Sequence, residues 1–145
     1  MVSARFLLDS NAVREPLRPE PDARFLRKFQ LHRGALAIAA PAWHEALFGL
    51  FRMPDGPKKE SVEDYLFHVL QPSVDLLPYD AEAARWHASE RARLEGEGSP
   101  APFADGQIAA VAARFGLTLV THNERGFRRF NGITLVDWMG DGTAW

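Results

Sequence analysis

Apolar positions along this chain alternate between two spacings. Short apolar runs at Arg5–Leu8, Ala35–Ala39, Val74–Leu77, Thr118–Thr121 and Thr134–Val136 have the length of buried strands. Between them the spacing lengthens to that of a helix face. Asp22 is placed to cap a helix carrying Phe25, Leu26 and Phe29. Pro41 suits the first position of a helix that runs to about Arg52, with Leu47, Leu50 and Phe51 facing inward. A further helix sets Val62, Tyr65, Leu66 and Val69 on one face. Asp80 caps the next, which holds Ala84, His87 and Leu94 and ends at Gly96; Phe103–Phe115 forms another, with Ile108, Val111, Ala112 and Phe115 on one face and Gly116 as its stop. Prolines 16, 19 and 21 mark Arg14–Pro21 as a loop, Pro54–Pro57 is a turn, and Gly96–Pro102 is a flexible loop. Strands alternating with helices predict an α/β fold with a parallel sheet. There is no internal repeat, so residues 1–145 read as one domain, with a flexible tail from about residue 140.

Composition narrows the classes. A hydrophobic content of 46% excludes a disordered chain. The absence of cysteine excludes disulfides and thiolate zinc sites. No apolar stretch approaches the roughly 20 residues of a membrane span, and no signal-peptide pattern opens the chain. The expectation is a cytoplasmic protein with no membrane partner. A net charge of -2 gives no basic signature, but an acidic site can offset basic residues elsewhere. Trp43, Phe48, Phe51 and Trp86 are expected in the core, with a partner surface as the alternative.

Candidate chemistry gathers at the ends of elements. Asp9 closes the first strand and is followed by Ser10 and Asn11. Glu45 and Asp105 are read as first-turn residues of their helices, and Thr121-His122-Asn123 follows the fourth strand. Singly, each acid has an ordinary reading: Asp9 as an Asx turn, Glu45 and Asp105 as partners of a helix dipole. Jointly they fall where strand carboxyl ends and the following helix amino ends share one sheet edge. Clustered carboxylates repel unless a cation sits between them, and hard oxygen donors select Mg²⁺ or Mn²⁺. Arg14, Arg18, Arg125, Arg128 and Arg129 are either phosphate contacts or solvated loop residues. The five histidines show no zinc spacing; His122 lies nearest the acids. No Walker A loop, G-x-S-x-G elbow or G-x-G-x-x-G fingerprint is present. A phosphorylated receiver would need a late lysine, and the lysines are only Lys28, Lys58 and Lys59.

The stretches LLDSNAV (Leu7–Val13), PAWHEALFGL (Pro41–Leu50), DLLPYDAEAARWHA (Asp75–Ala88) and FADGQIAAVAARFGLTLVTHNERGF (Phe103–Phe127) resemble PIN-domain ribonucleases, specifically VapC-type toxins of toxin–antitoxin pairs. The resemblance covers the chain to about Trp138. It implies a PIN-like three-layer α/β/α sandwich around a mainly parallel sheet of four to five strands. It implies an Mg²⁺- or Mn²⁺-dependent endoribonuclease, the metal held by Asp9, Glu45 and Asp105, with Asn123 as the fourth catalytic position and water activated for hydrolysis. Thr121, His122, Arg125, Ser10 and Asn11 become substrate-side candidates. A homodimer and a cognate antitoxin that occludes the acidic site are implied as partners, with RNA as substrate. Three departures stand out: Ser10 replaces a frequent threonine, His122 a frequent arginine, and Gly126 an acid that many relatives carry before Phe127. The last leaves open a PIN-fold binding protein with weak or no catalysis.

Overall fold

The structure is a computed structural model and describes residues 3–139. The expected tail from about residue 140 lies outside the described residues. Five strands, β1 (Phe6–Leu8), β2 (Leu36–Ala39), β3 (Val74–Leu77), β4 (Thr118–Val120) and β5 (Thr134–Val136), form one sheet in the order β3-β2-β1-β4-β5. Every neighbouring pair is parallel. The connections carry α1 (Ser10–Arg14), α2 (Ala23–Leu31), α3 (Ala40–Phe51), α4 (Pro57–Asp64), α5 (Ala81–Gly96), α6 (Phe103–Phe115) and α7 (Glu124–Phe127). Parallel neighbours require crossovers, and these cover the sheet on both faces. Leu7, Leu8, Leu36, Ala37, Ile38, Ala39, Leu119 and Val120 are accordingly all buried, with no in–out alternation. This is the expected α/β/α sandwich, with the upper number of strands.

The strand order locates the crevice. From β1 the chain steps outward to β2 and β3, then crosses back to β4 on the other side of β1. The β1/β4 boundary is therefore a topological switch point, and open α/β sheets bind ligands outside the strand carboxyl ends at such a point. Trp138, only 2% exposed, seals the far layer by packing on Phe6, Phe25 and His32.

Local chemistry explains most boundaries. Asp9, Asp22 and Asp80 each accept the backbone N–H three residues on, at 2.8, 2.9 and 2.9 Å, and so start α1, α2 and α5. Gly116 ends α6 with a left-handed φ of 67°.

Four expectations are corrected. The segment after Asp9 is helical through Arg14 and continues as a 3₁₀ turn over Glu15–Leu17, so the loop begins later than Arg14. The Asp9 cap and Pro16, which fits a first-turn position, favour this tighter path. After α4 the helix widens into a π turn, Tyr65–Leu70. Its i→i+5 bonds shift the helical phase, so Leu66 and Leu70 turn inward and Val69 turns out. On α3 the buried stripe is Ala42, Ala46 and Leu50. Phe51 lies about 100° past Leu50 and is 63% exposed; Phe48, 53% exposed, is also outside the core. Trp43 and Trp86 are half-buried against the core, as expected in kind. On α5 the buried positions are Ala83, His87, Glu90 and Leu94, and Ala84 sits at their margin.

Candidate active site

Asp9 leaves β1 at the switch point, and its amide donates to the Val120 carbonyl of β4 at 3.1 Å. The residue is 4% exposed. Its Oδ1 accepts from Ala12 N–H, and the Thr121 hydroxyl also bonds to the carboxylate. Thr121 Oγ1 in turn accepts the Asn123 N–H at 2.9 Å. One buried hydroxyl thus fastens the segments that follow β1 and β4. Asp105 stands in the first turn of α6, half-buried. Asp9, Ser10, Asn11, Asp105, Asn123, Ile108 and Phe127 line one small pocket.

The two acids feel each other. Burial raises the Asp9 carboxyl above its ordinary range, while hydrogen bonds from Thr121, Ala12 and Asn11 and the charge of Arg14 pull it back. Burial also raises Asp105, and the Asp9 charge raises it further; Arg129 opposes this. Two apposed carboxylates beside a hydroxyl and an amide, walled by Ile108 and Phe127, fit a hard divalent cation. Mg²⁺ commonly takes one or two carboxylates and completes its shell with water and phosphate oxygens.

Asn123 caps α7, its Oδ1 accepting Gly126 N–H at 3.2 Å. A Cβ on Gly126 would stand 2.5 Å from Asn123 Nδ2, so a larger residue there requires the Asn123 amide to shift. The family's frequent acid at 126 would therefore go with a shifted Asn123 side chain.

Glu45 stands apart. Helix α3 starts at Ala40, and no acid occupies its first turn. Glu45 is in the second turn, exposed, and lines a separate groove with Arg14, Leu17, Leu50, Lys58 and Leu66. Among the described residues no group of three or more acidic, histidine or cysteine side chains is placed to hold a metal. Ser10 and Asn11 do reach the acid pocket. His122 faces another way and pairs with Asp137, Nδ1 to Oδ2 at 2.9 Å. Arg125 is exposed on α7, outside the pocket lining. Arg128 lies 3.7 Å from Glu124. Arg129 is half-buried, donating to the carbonyls of Gly126 at 3.0 Å and Pro100 at 2.7 Å. It ties the α7 turn to the loop before α6, a positioning role rather than a solvated one.

A family model described as PIN domain matches residues 6–133. The chain belongs to the PIN-domain family. Within it the chain falls among the VapC-type toxin ribonucleases. It is 31% identical over 136 residues to the tRNA(fMet)-specific endonuclease VapC of Shigella flexneri, covering 92% of this chain and 98% of that protein. It is 30% identical to the toxin FitB of Neisseria gonorrhoeae, over 83% of this chain and 89% of that one. The crystal structure of DNA-bound VapBC from Salmonella typhimurium superposes with a TM-score of 0.81 at 27% identity, covering 93% and 98% of the two chains. This PIN protein is thus a ribonuclease of the toxin class, and PIN nucleases as a family depend on a divalent metal. No helix among the described residues is long and apolar enough to cross a membrane.

Several residues at the site were not singled out by the sequence. Glu15, 5% exposed in the Pro-rich segment, accepts Asp22 N–H at 2.8 Å and Arg18 at 3.2 Å, which folds that segment beside the pocket. His87, 3% exposed, bonds the Tyr79 hydroxyl at 2.8 Å and lies against Gly106, next to Asp105. Asp137 became a partner of His122 only through folding. An acid inside an otherwise loop-like run, as at Glu15, is the one hint that was available.

Proposed function

We propose that this PIN protein hydrolyses RNA phosphodiesters at the Asp9–Asp105 pocket with Mg²⁺ or Mn²⁺, as the toxin of a toxin–antitoxin pair. The observation that carries this reading is the pair of carboxylates, each raised by burial and one by the other, on a single pocket at the switch point. Asp9 and Asp105 would hold the ion, with Asn123 and Ser10 beside it; Glu45, in the neighbouring groove, is the third carboxylate proposed for it. When bound, the ion lowers the pKa of a coordinated water and offsets charge on the phosphate. Asp9 is held for this by Thr121 and the α1 amides, and Asn123 by its α7 cap. Asn11, Thr121, His122 and Arg125 are the proposed substrate-side residues. The named relatives suggest transfer RNA as substrate and a cognate antitoxin as partner. The exposed Phe48 and Phe51 on α3 favour a homodimer.

The test is an RNA cleavage assay on Asp9→Asn and Asp105→Asn protein, with and without Mn²⁺. Asparagine at position 9 keeps the α1 cap, and Asp105 caps no helix, so both variants should remain folded, lose cleavage, and lose the rise in melting temperature that Mn²⁺ gives the parent. Cleavage at the parental rate by purified Asp9→Asn protein rules the reading out. The Gly126 departure favours a second reading, a PIN-fold binder with weak turnover; metal and RNA binding without cleavage in the parent would select it.

A further inference from the structure

The acid pocket has a volume of about 60 Å³, enough for an ion with a few waters but not for a nucleotide. An RNA chain with its scissile phosphate there must run on into adjoining surface. Next to it lies a cleft of about 470 Å³, lined by Asn11, Arg14, Glu15, Arg18, His122 and Met139. Asn11 lines both spaces. Helix α1 connects them: Asp9 caps one end at the acids, and Arg14 closes the other at the cleft. The rise between the two is roughly 7.5 Å, about the reach from one phosphate to the next.

The cleft chemistry suits a polyanion. Its one carboxylate, Glu15, is committed to Asp22 N–H and Arg18. Arg14 is steadied by Asn11 Oδ1 at 2.9 Å, and the Arg18 side chain is 59% exposed. His122 is held at the wall by Asp137, whose other oxygen accepts Met139 N–H at 2.8 Å. The groove on the opposite flank of α1 shares Arg14 and adds Lys58, but it has an apolar floor of Leu50, Val62 and Leu66, and Asn11 and His122 are not among its lining residues.

We propose that the Arg14–Arg18–His122 cleft is an RNA subsite that seats the nucleotide adjoining the scissile phosphate. The arginines take its phosphate, and the Asp137-held imidazole lies against its base or ribose. This rests on the ribonuclease reading of the acid pocket.

The test measures anisotropy of a labelled single-stranded RNA on full-length Asp9→Asn protein across a salt series. Adding Arg14→Ala should weaken binding about three- to tenfold and flatten the log–log salt slope by about 0.7, the signature of one lost phosphate contact on a single strand. Adding His122→Ala should weaken binding about fivefold or more, and His122→Tyr should restore it through stacking. Arg33→Ala, at the amino-terminal edge of the sheet beside Ser73, should bind as the parent does. Thermal melts check folding, and Arg14→Gln replaces any alanine variant that does not fold. Parental affinity and salt slope in the Arg14 and His122 variants overturn the subsite, even where wild-type protein cleaves RNA. A wild-type protein that neither binds nor cleaves RNA with Mn²⁺ overturns the ribonuclease reading itself.

Discussion

Asp9 has two duties that share one side chain. Its Oδ1 caps α1, and its charge stands close enough to Asp105 to raise that carboxyl. Thr121 mediates between them and the α7 turn, since its single hydroxyl serves both Asp9 and Asn123. Asn123 depends on a residue it does not resemble chemically. With a Cβ at position 126 its amide has to swing away, because Nδ2 would stand only 2.5 Å from that carbon. Gly126→Ala should therefore cost about 1 kcal/mol through the lost cap and reduce RNA cleavage by displacing Asn123 from the pocket. A denaturation midpoint and a cleavage rate check this together. Unchanged values for both would mean that Gly126 is not required by Asn123.

At the scale of elements, α6 starts without a side-chain cap, at Pro102, as α3 and α4 also do at Ala39 and Gly56. Its first turn carries Asp105 and is held from α5 instead. The His87 ring packs against Gly106 so closely that a Cβ there would lie 2.6 Å from His87 Cδ2. His87 also lies 4.9 Å from the Phe103 ring, over which Arg91 sits at 5.2 Å. Gly106→Ala should overpack this seam and cost about 1–3 kcal/mol. Burial lowers the His87 pKa below its ordinary 6.5, with the Arg91 charge adding to the effect. The unfolded chain then binds the proton more readily than the folded one. Stability from this group is complete above about pH 6.5 and is lost as pH falls through the folded value. His87→Gln should lessen the fall in urea midpoint between about pH 7 and pH 5. A variant with the parental pH profile would show that His87 does not set it.

At the scale of the whole molecule, the sheet order brings distant segments to one edge, and the outer surface of α3 remains apolar. Phe48 and Phe51 lie one turn apart with 53% and 63% of their surface exposed, and Arg52 sits over Phe48 at 4.8 Å. Exposed aromatics of this size commonly mark protein contacts. If the proposed homodimer forms through this face, Phe51→Arg should shift the protein from dimer to monomer in light scattering and leave the monomer's far-ultraviolet dichroism intact. A parental mass in the variant would remove α3 from the interface.

The sequence by itself determined the alternation of strands and helices, because period and capping residues are local: Asp22, Asp80 and Gly116 act within a few residues of themselves. It also determined which acids were eligible for the site, since Asp9 and Asp105 sit at element ends. The π turn was not legible, because its shift in phase depends on how Tyr65–Leu70 packs, with the Tyr65 hydroxyl reaching the Val13 carbonyl at 3.1 Å. Only tertiary structure decided which eligible residues meet. It joined Asp9, Asp105 and Asn123, set Glu45 in the next groove by starting α3 at Ala40, and paired His122 with Asp137 fifteen residues away. Those outcomes follow from strand order and helix phase, which arise from burying the chain as a whole and are written in no single segment.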